Sequence, residues 1–118
     1  MNPRPEWRDL GNRRCLLLRF DGHFSAENAL DAISTISSLV EQTEGKTTMV
    51  WECTGMTSYD TAAREDWQVL IKDIKSKIES IHLVSESLAV RSWAMVVGSF
   101  AGIKITTWAT LDDFHTRG

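Results

Sequence analysis

"ECTGMTSYDTAAREDW", residues 52–67, decides how this chain is read. It follows "TTMVWEC", a β-branched and aromatic run of strand length whose end Gly55 marks. It leads into a helix that starts at Asp60 or Thr61, since Asp and Thr are favoured where the first N–H groups of a helix need acceptors. From there Ala63, Trp67, Leu70, Ile71, Ile74 and Ile78 recur at helical spacing as a narrow apolar stripe. The stretch is therefore the turn between a buried strand and an amphipathic helix.

The same alternation extends both ways. Upstream, "EWRDL" and "RCLLLRF" flank Gly11-Asn12, a hairpin turn signal, so an edge strand and a longer buried strand are expected. Asp21-Gly22 breaks the second strand. Ser25 caps a helix in which Ala26, Ala29, Leu30, Ile33, Ile36 and Val40 form the apolar face, and Gly45 lies past its end. Downstream, "SIHLV" is a short core strand. Ser85 or Ser87 opens the third helix, "LAVRSWAMVVGSFA", which Gly102 closes, and "IKITTWAT" is the last strand. "LDDFH" begins a short C-terminal helix. Strands alternating with helices of this length imply βαβ units and a parallel sheet. The expected fold is α/β: an N-terminal hairpin, then a mixed, largely parallel sheet of about five strands, three main helices and a short fourth. Residues 1–12 form an extended arm and edge strand, with Pro3 and Pro5 keeping the entry extended, and residues 13–118 form the domain.

With 118 residues, the chain is large enough to bury a core without staples. Its 13 basic and 16 acidic residues give a net charge of -3, and the basic ones are scattered, which argues against a nucleic-acid partner. No apolar run reaches the ~18 residues of a membrane span, and the first ten residues lack the apolar core of a signal peptide. Cys15 and Cys53 sit in strand-like apolar runs and read as reduced core thiols of a cytoplasmic protein.

The ordered motifs resemble the STAS domain family of the bacterial anti-anti-sigma factors. "FDGHFSAENA" matches the family's glycine turn before the first helix. "ECTGMTSYDTAA" matches its signature segment through Glu52, Thr54, Gly55, Thr57 and Asp60. "SLAVRSWAMVVGSFAGIKI" is similar to its third helix and the run into its last strand. The resemblance covers the chain from Arg13 on. It implies a regulatory module whose partner is an anti-sigma-factor-like kinase or another regulatory protein. In the family the second Ser of Asp-Ser-Ser accepts phosphate from that kinase. By position that Ser is Ala62, the first Ser is Thr61 and the family Gly is Ala63, so the usual switch hydroxyl is missing.

The expected partner-binding surface is Asp60, Thr61, Ala62, Glu65, Asp66 and Val69. The face away from the apolar stripe carries Ala62 and Val69 within an acidic rim, a composition suited to protein docking. Thr61 and Ser58 are the candidate phosphoacceptors, because a helix N-terminus favours phosphate; Glu65 and Asp66 would repel it. The purely structural alternative is that Asp60 and Thr61 only cap the helix. In the third helix, Ala89, Val90, Trp93, Val96, Val97 and Phe100 form a wide core arc. Leu88 and Met95 lie opposite, beside Arg91. Leu88, Arg91, Met95 and Trp93 are the candidate surface for a homodimer or, with Trp93 lining a cavity, for an apolar ligand or lipid; the N-terminal arm with Trp7 is the alternative cover. His23, His82 and His115 lie in separate segments without metal-ligand spacing, and no phosphate-binding glycine loop is present, so no metal or cofactor is expected. The remaining enzyme reading pairs Cys53 or Cys15 with His82. The five tryptophans read as core and sheet packing, with one or two lining a pocket.

Overall fold

A two-residue turn at Gly11-Asn12 joins β1 (Arg4–Leu10) to β2 (Arg13–Phe24) in antiparallel register, with Gly11 at a φ of 63° that favours glycine. The computed structural model, which describes residues 1–117, then runs through α1 (Ala26–Glu41), β3 (Thr47–Tyr59), α2 (Thr61–Ile74), a 3-10 turn (Lys75–Lys77), β4 (Ile78–Val84), α3 (Leu88–Ala101), β5 (Ile105–Trp108) and α4 (Leu111–Arg117). The five strands lie in the order β1-β2-β3-β4-β5, and every pairing after the hairpin is parallel. This is the α/β architecture that the alternation of motifs implies.

The strand runs are apolar at successive residues because both faces of the sheet are covered. On one face Leu16, Leu18, Phe20, Met49, Trp51, Cys53, Ile81, Leu83 and Ile105 meet α1, α2 and α3. The residues alternating with them, Cys15, Leu17, Val50 and Val84, pack with Leu10 of β1 and Phe114 of α4 on the other. Cys15 and Cys53 thus belong to opposite layers, and both are free thiols.

Three boundaries differ from the sequence reading. Asp21-Gly22 does not end β2, and Gly55 does not end β3. Both strands continue, pairing Asp21 with Gly55, Gly22 with Met56, His23 with Ser58 and Phe24 with Tyr59. The glycines bend the ladder instead of stopping it. Gly22 takes a φ of 60° between two register shifts, and Gly55 leaves room for the Asp21 side chain. Ile78 leaves the helix stripe to open β4, because the 3-10 turn intervenes. Gly22→Ala should cost about 1 kcal/mol, the usual penalty for a Cβ in the left-handed region. No neighbour obstructs that Cβ, so a urea titration would report backbone strain alone.

Two apolar faces are also narrower than expected. In α1 the buried residues are Ala29, Ala32, Ile36 and Val40, and Leu30 is exposed. In α3 they are Val90, Trp93, Ala94, Val97, Gly98 and Ala101, whereas Ala89, Val96 and Phe100 face outward. The helix sits close over β5: a Cβ on Gly98 would stand 2.7 Å from the Ile103 carbonyl oxygen. Gly98 therefore permits the close approach to the segment entering β5, while Val96 and Phe100 are turned away from it.

Candidate functional site

The C-terminal ends of β2 and β3 and the N-termini of α1 and α2 converge at one end of the sheet. Ser25 caps α1 in a reciprocal box: its hydroxyl accepts from the Asn28 amide, and the Asn28 side chain accepts from the Ser25 amide. Asp60 occupies the capping position of α2 but makes no side-chain capping bond there. Its Oδ2 instead accepts from the Ala26 amide at 3.0 Å, in the first turn of α1, and its Oδ1 lies 2.8 Å from His23 Nε2. The reading of Asp60 as a cap for its own helix is corrected: it tethers the neighbouring helix. The first turn of α2, with Thr61, Ala62 and Ala63, has no side-chain cap.

His23 links this carboxylate to a hydroxyl, its Nδ1 lying 2.6 Å from Ser58 Oγ. The Ala26 amide first, and His23 second, hold the Asp60 carboxyl below the usual carboxylate range, so it is ionised at neutral pH. An ionised carboxylate only accepts, so Nε2 carries the proton of the neutral ring. Nδ1 is then the acceptor, and the Ser58 hydroxyl donates to it. The sequence reading placed Ser58 and Asp60 in the site but not His23, which register alone delivers.

Glu52, the acidic residue of the signature segment, anchors the strand just before this end. It lies 3.4 Å from Arg19 Nε, and its Oε1 accepts from the Thr54 amide at 3.0 Å and from the Thr54 hydroxyl. Along α2, Thr61, Ala62, Glu65 and Val69 are exposed, Asp66 is half-buried, and Ala63, Trp67, Leu70, Ile71 and Ile74 are buried. On α3, Leu88, Met95, Val96 and Phe100 are exposed, in a stripe shared with the exposed Ser92 and Ser99. Arg91 folds back through Nε to the Ser85 carbonyl at 2.7 Å.

Trp93 is not part of that surface. It is 1% exposed, among the rings of Phe20, Phe24, Trp51 and Tyr59. Nor does Trp7 cover the stripe. It borders a shallow cleft with Arg14, Leu39, Gln42 and Thr43 at the far end of α1, under the Arg14 guanidinium.

The cysteine–histidine pair does not assemble. His82 accepts from Trp108 Nε1 at Nδ1 (3.0 Å), and its Nε2 lies 3.1 Å from Ser80 Oγ. Burial, and after it Glu52, pushes the Cys53 thiol well above its ordinary value; burial also raises that of Cys15. Neither thiol is a thiolate at neutral pH, the form in which cysteine is a strong nucleophile. Among the described residues no three His, Cys, Asp or Glu side chains gather where a metal could bind. No helix among them is long and apolar enough to cross a membrane.

This arrangement of sheet, helices and convergent N-termini is a STAS-type, SpoIIAA-like fold. An uncharacterized protein of the DUF3478 family with a SpoIIAA-like fold, from Shewanella loihica PV-4, superposes with a TM-score of 0.74 at 12% identity, over 94% of this chain and 88% of that one. The anti-sigma factor antagonist SpoIIAA in its unphosphorylated form superposes with a TM-score of 0.66 at 13% identity, over 93% of this chain and 92% of that one. No protein-family model and no curated protein sequence matches the chain.

Proposed function

We propose that this chain is a non-enzymatic regulatory module that docks a partner protein through the start of α2, without a phosphoserine switch at position 62. One observation carries the reading: an uncapped helix start beside an exposed strip of Ala62 and Val69, rimmed by Glu65 and Asp66. A small apolar strip with a charged rim suits a modest, reversible interface. The likeness to an anti-sigma factor antagonist supports a regulatory protein, kinase-like or otherwise, as the partner. Thr61, exposed in the first turn, is the hydroxyl nearest the missing acceptor in sequence. Buried free thiols suit a cytoplasmic setting.

The test is co-purification followed by titration of the recovered partner against variants. Val69→Asp and Ala62→Arg should each weaken binding at least tenfold, while a substitution on α4 leaves it unchanged. Equal binding by all of them would overturn the reading. If the partner is a kinase, phosphate uptake that Thr61→Ala removes would locate the modified hydroxyl.

The exposed stripe of Leu88, Met95, Val96 and Phe100 favours a second contact, between two copies of the chain. Light scattering of the wild type should give a dimer that Met95→Glu with Phe100→Glu dissociates. A monomeric wild type at ~100 μM would remove the homodimer, since an interface weaker than that gives less than about 5.5 kcal/mol of association.

A further inference from the structure

We propose that Ser58, with His23 as its base and Asp60 as the residue that positions that base, is a nucleophilic hydroxyl that accepts an acyl group from an activated ester. This site goes beyond partner docking and does not depend on it. The three side chains form one unbroken chain, Ser58 Oγ to His23 Nδ1 at 2.6 Å and His23 Nε2 to Asp60 Oδ1 at 2.8 Å. Those are the contacts that a base-activated serine requires: a nucleophile bonded to a base, and the base oriented by a third group. The ring nitrogens are used in the opposite sense to the familiar serine triad, in which the hydroxyl meets Nε2, but each group keeps its role.

Two features separate this chain from a surface network that only ties elements together. Asp60, as an acceptor, places the proton on Nε2, so the Nδ1 lone pair of His23 faces the serine. Ser58 is itself exposed, so an acyl donor can reach Oγ while the histidine holds its proton from behind. Asp60 is in turn held by the Ala26 amide at 3.0 Å, a bond that keeps the carboxylate in place whether or not the histidine is charged.

The step balances without a further reactant. Ser58 Oγ attacks the carbonyl carbon and forms a C–O bond as its proton passes to His23 Nδ1. The bond to the leaving alkoxide or phenolate then breaks, and the histidine returns the proton to the leaving group or to water. The product is an O-acyl serine, a single covalent modification of the chain. The His23 side chain is about half exposed, so solvent competes for the base, and a single acylation is expected instead of turnover.

The experiment uses the whole chain with p-nitrophenyl acetate. It follows p-nitrophenolate release and maps acetyl groups by mass spectrometry. The expected result is acetyl on Ser58 ahead of the exposed Ser34, Ser38, Ser76, Ser92 and Ser99, with Ser58→Ala abolishing the fast phase. His23→Asn should slow that phase on the order of 10²-fold, the lower end of general-base effects. Asp60→Asn can donate to Nε2, which turns the ring so that Nδ1 bears the proton; it should slow acylation similarly, and Asp60→Glu should restore part of it. Near-UV circular dichroism of the buried tryptophans identifies any variant that has not folded, and the ordering of serines within the wild type does not depend on a variant. Acetylation of Ser58 no faster than the other serines, or at an unchanged rate in folded His23→Asn, would overturn the proposal.

Discussion

Trp67→Ala should lower the free energy of unfolding by about 3–5 kcal/mol, the range for removing a large buried aromatic side chain. Trp67 is fully buried, and its ring meets Phe20 and Phe24 at centroid distances of 5.5 Å and Trp51 at 6.0 Å, all edge to face. Removing it leaves a cavity against strands already bonded on both sides, so the surroundings cannot collapse to fill it. Domains of this kind hold only about 5–15 kcal/mol in total, so the variant should be partly unfolded at 37 °C. Trp67→Phe separates volume from polarity. The indole N–H groups of Trp51, Trp67 and Trp93 have no hydrogen-bond acceptor, so phenylalanine gives up contacts but no hydrogen bond. It should cost less than half as much. Urea titrations with an unchanged m-value would show this; equal losses for the two variants would contradict it.

A second large effect is expected from acid. His82 is lowered to about 4, chiefly by burial and further by the nearby Arg13 charge. Protonation would also place an N–H on Nδ1, against the Trp108 Nε1–H that now donates to it. Because the folded value lies below the unfolded value of about 6.5, the unfolded chain binds more protons between those limits. The stabilisation from His82 is complete above pH ~6.5 and is lost as pH falls towards 4. Unfolding at pH 4.5 should therefore cost about 2–3 kcal/mol less than at pH 7. His82→Asn, which keeps an acceptor for Trp108 and does not titrate, should flatten that window while lowering stability at pH 7. An unchanged pH dependence in the variant would assign the acid loss elsewhere. Asp60 is separable from this effect, since its depressed carboxyl loses its contribution only below the ordinary carboxylate range.

The proposed docking edge and the proposed acyl-accepting site share Asp60 but use different faces. The strip of Ala62, Glu65 and Val69 lies along the outside of α2, whereas His23 and Ser58 are on the strand ends that precede it. Val69→Asp should therefore leave acylation of Ser58 unchanged, and Ser58→Ala should leave docking unchanged, which keeps the two readings experimentally distinct.

The sequence by itself determined the element order, the hairpin, the βα alternation and the buried stripe of α2, because each is written in local spacing: period two, period 3.6, a glycine turn, a capping serine. It also placed Asp60 at a helix start and showed that the hydroxyl expected at position 62 is absent. Tertiary structure decided where His23 goes. Arg19 pairs with Glu52, and an unbroken ladder from there would set His23 against Met56. Two register shifts move it to Ser58 instead. A lone glycine such as Gly22 can mark either a strand end or a bulge, and how far the partner strand slips is settled only by the pairing of the two strands. The same holds for Asp60: local rules assign its carboxylate to its own helix, but the parallel pairing brings the first turn of α1 alongside, and the Ala26 amide and His23 take it. The quoted stretch shows its strand and its helix in its own residues. The histidine bonded to its serine comes from a strand more than thirty residues away.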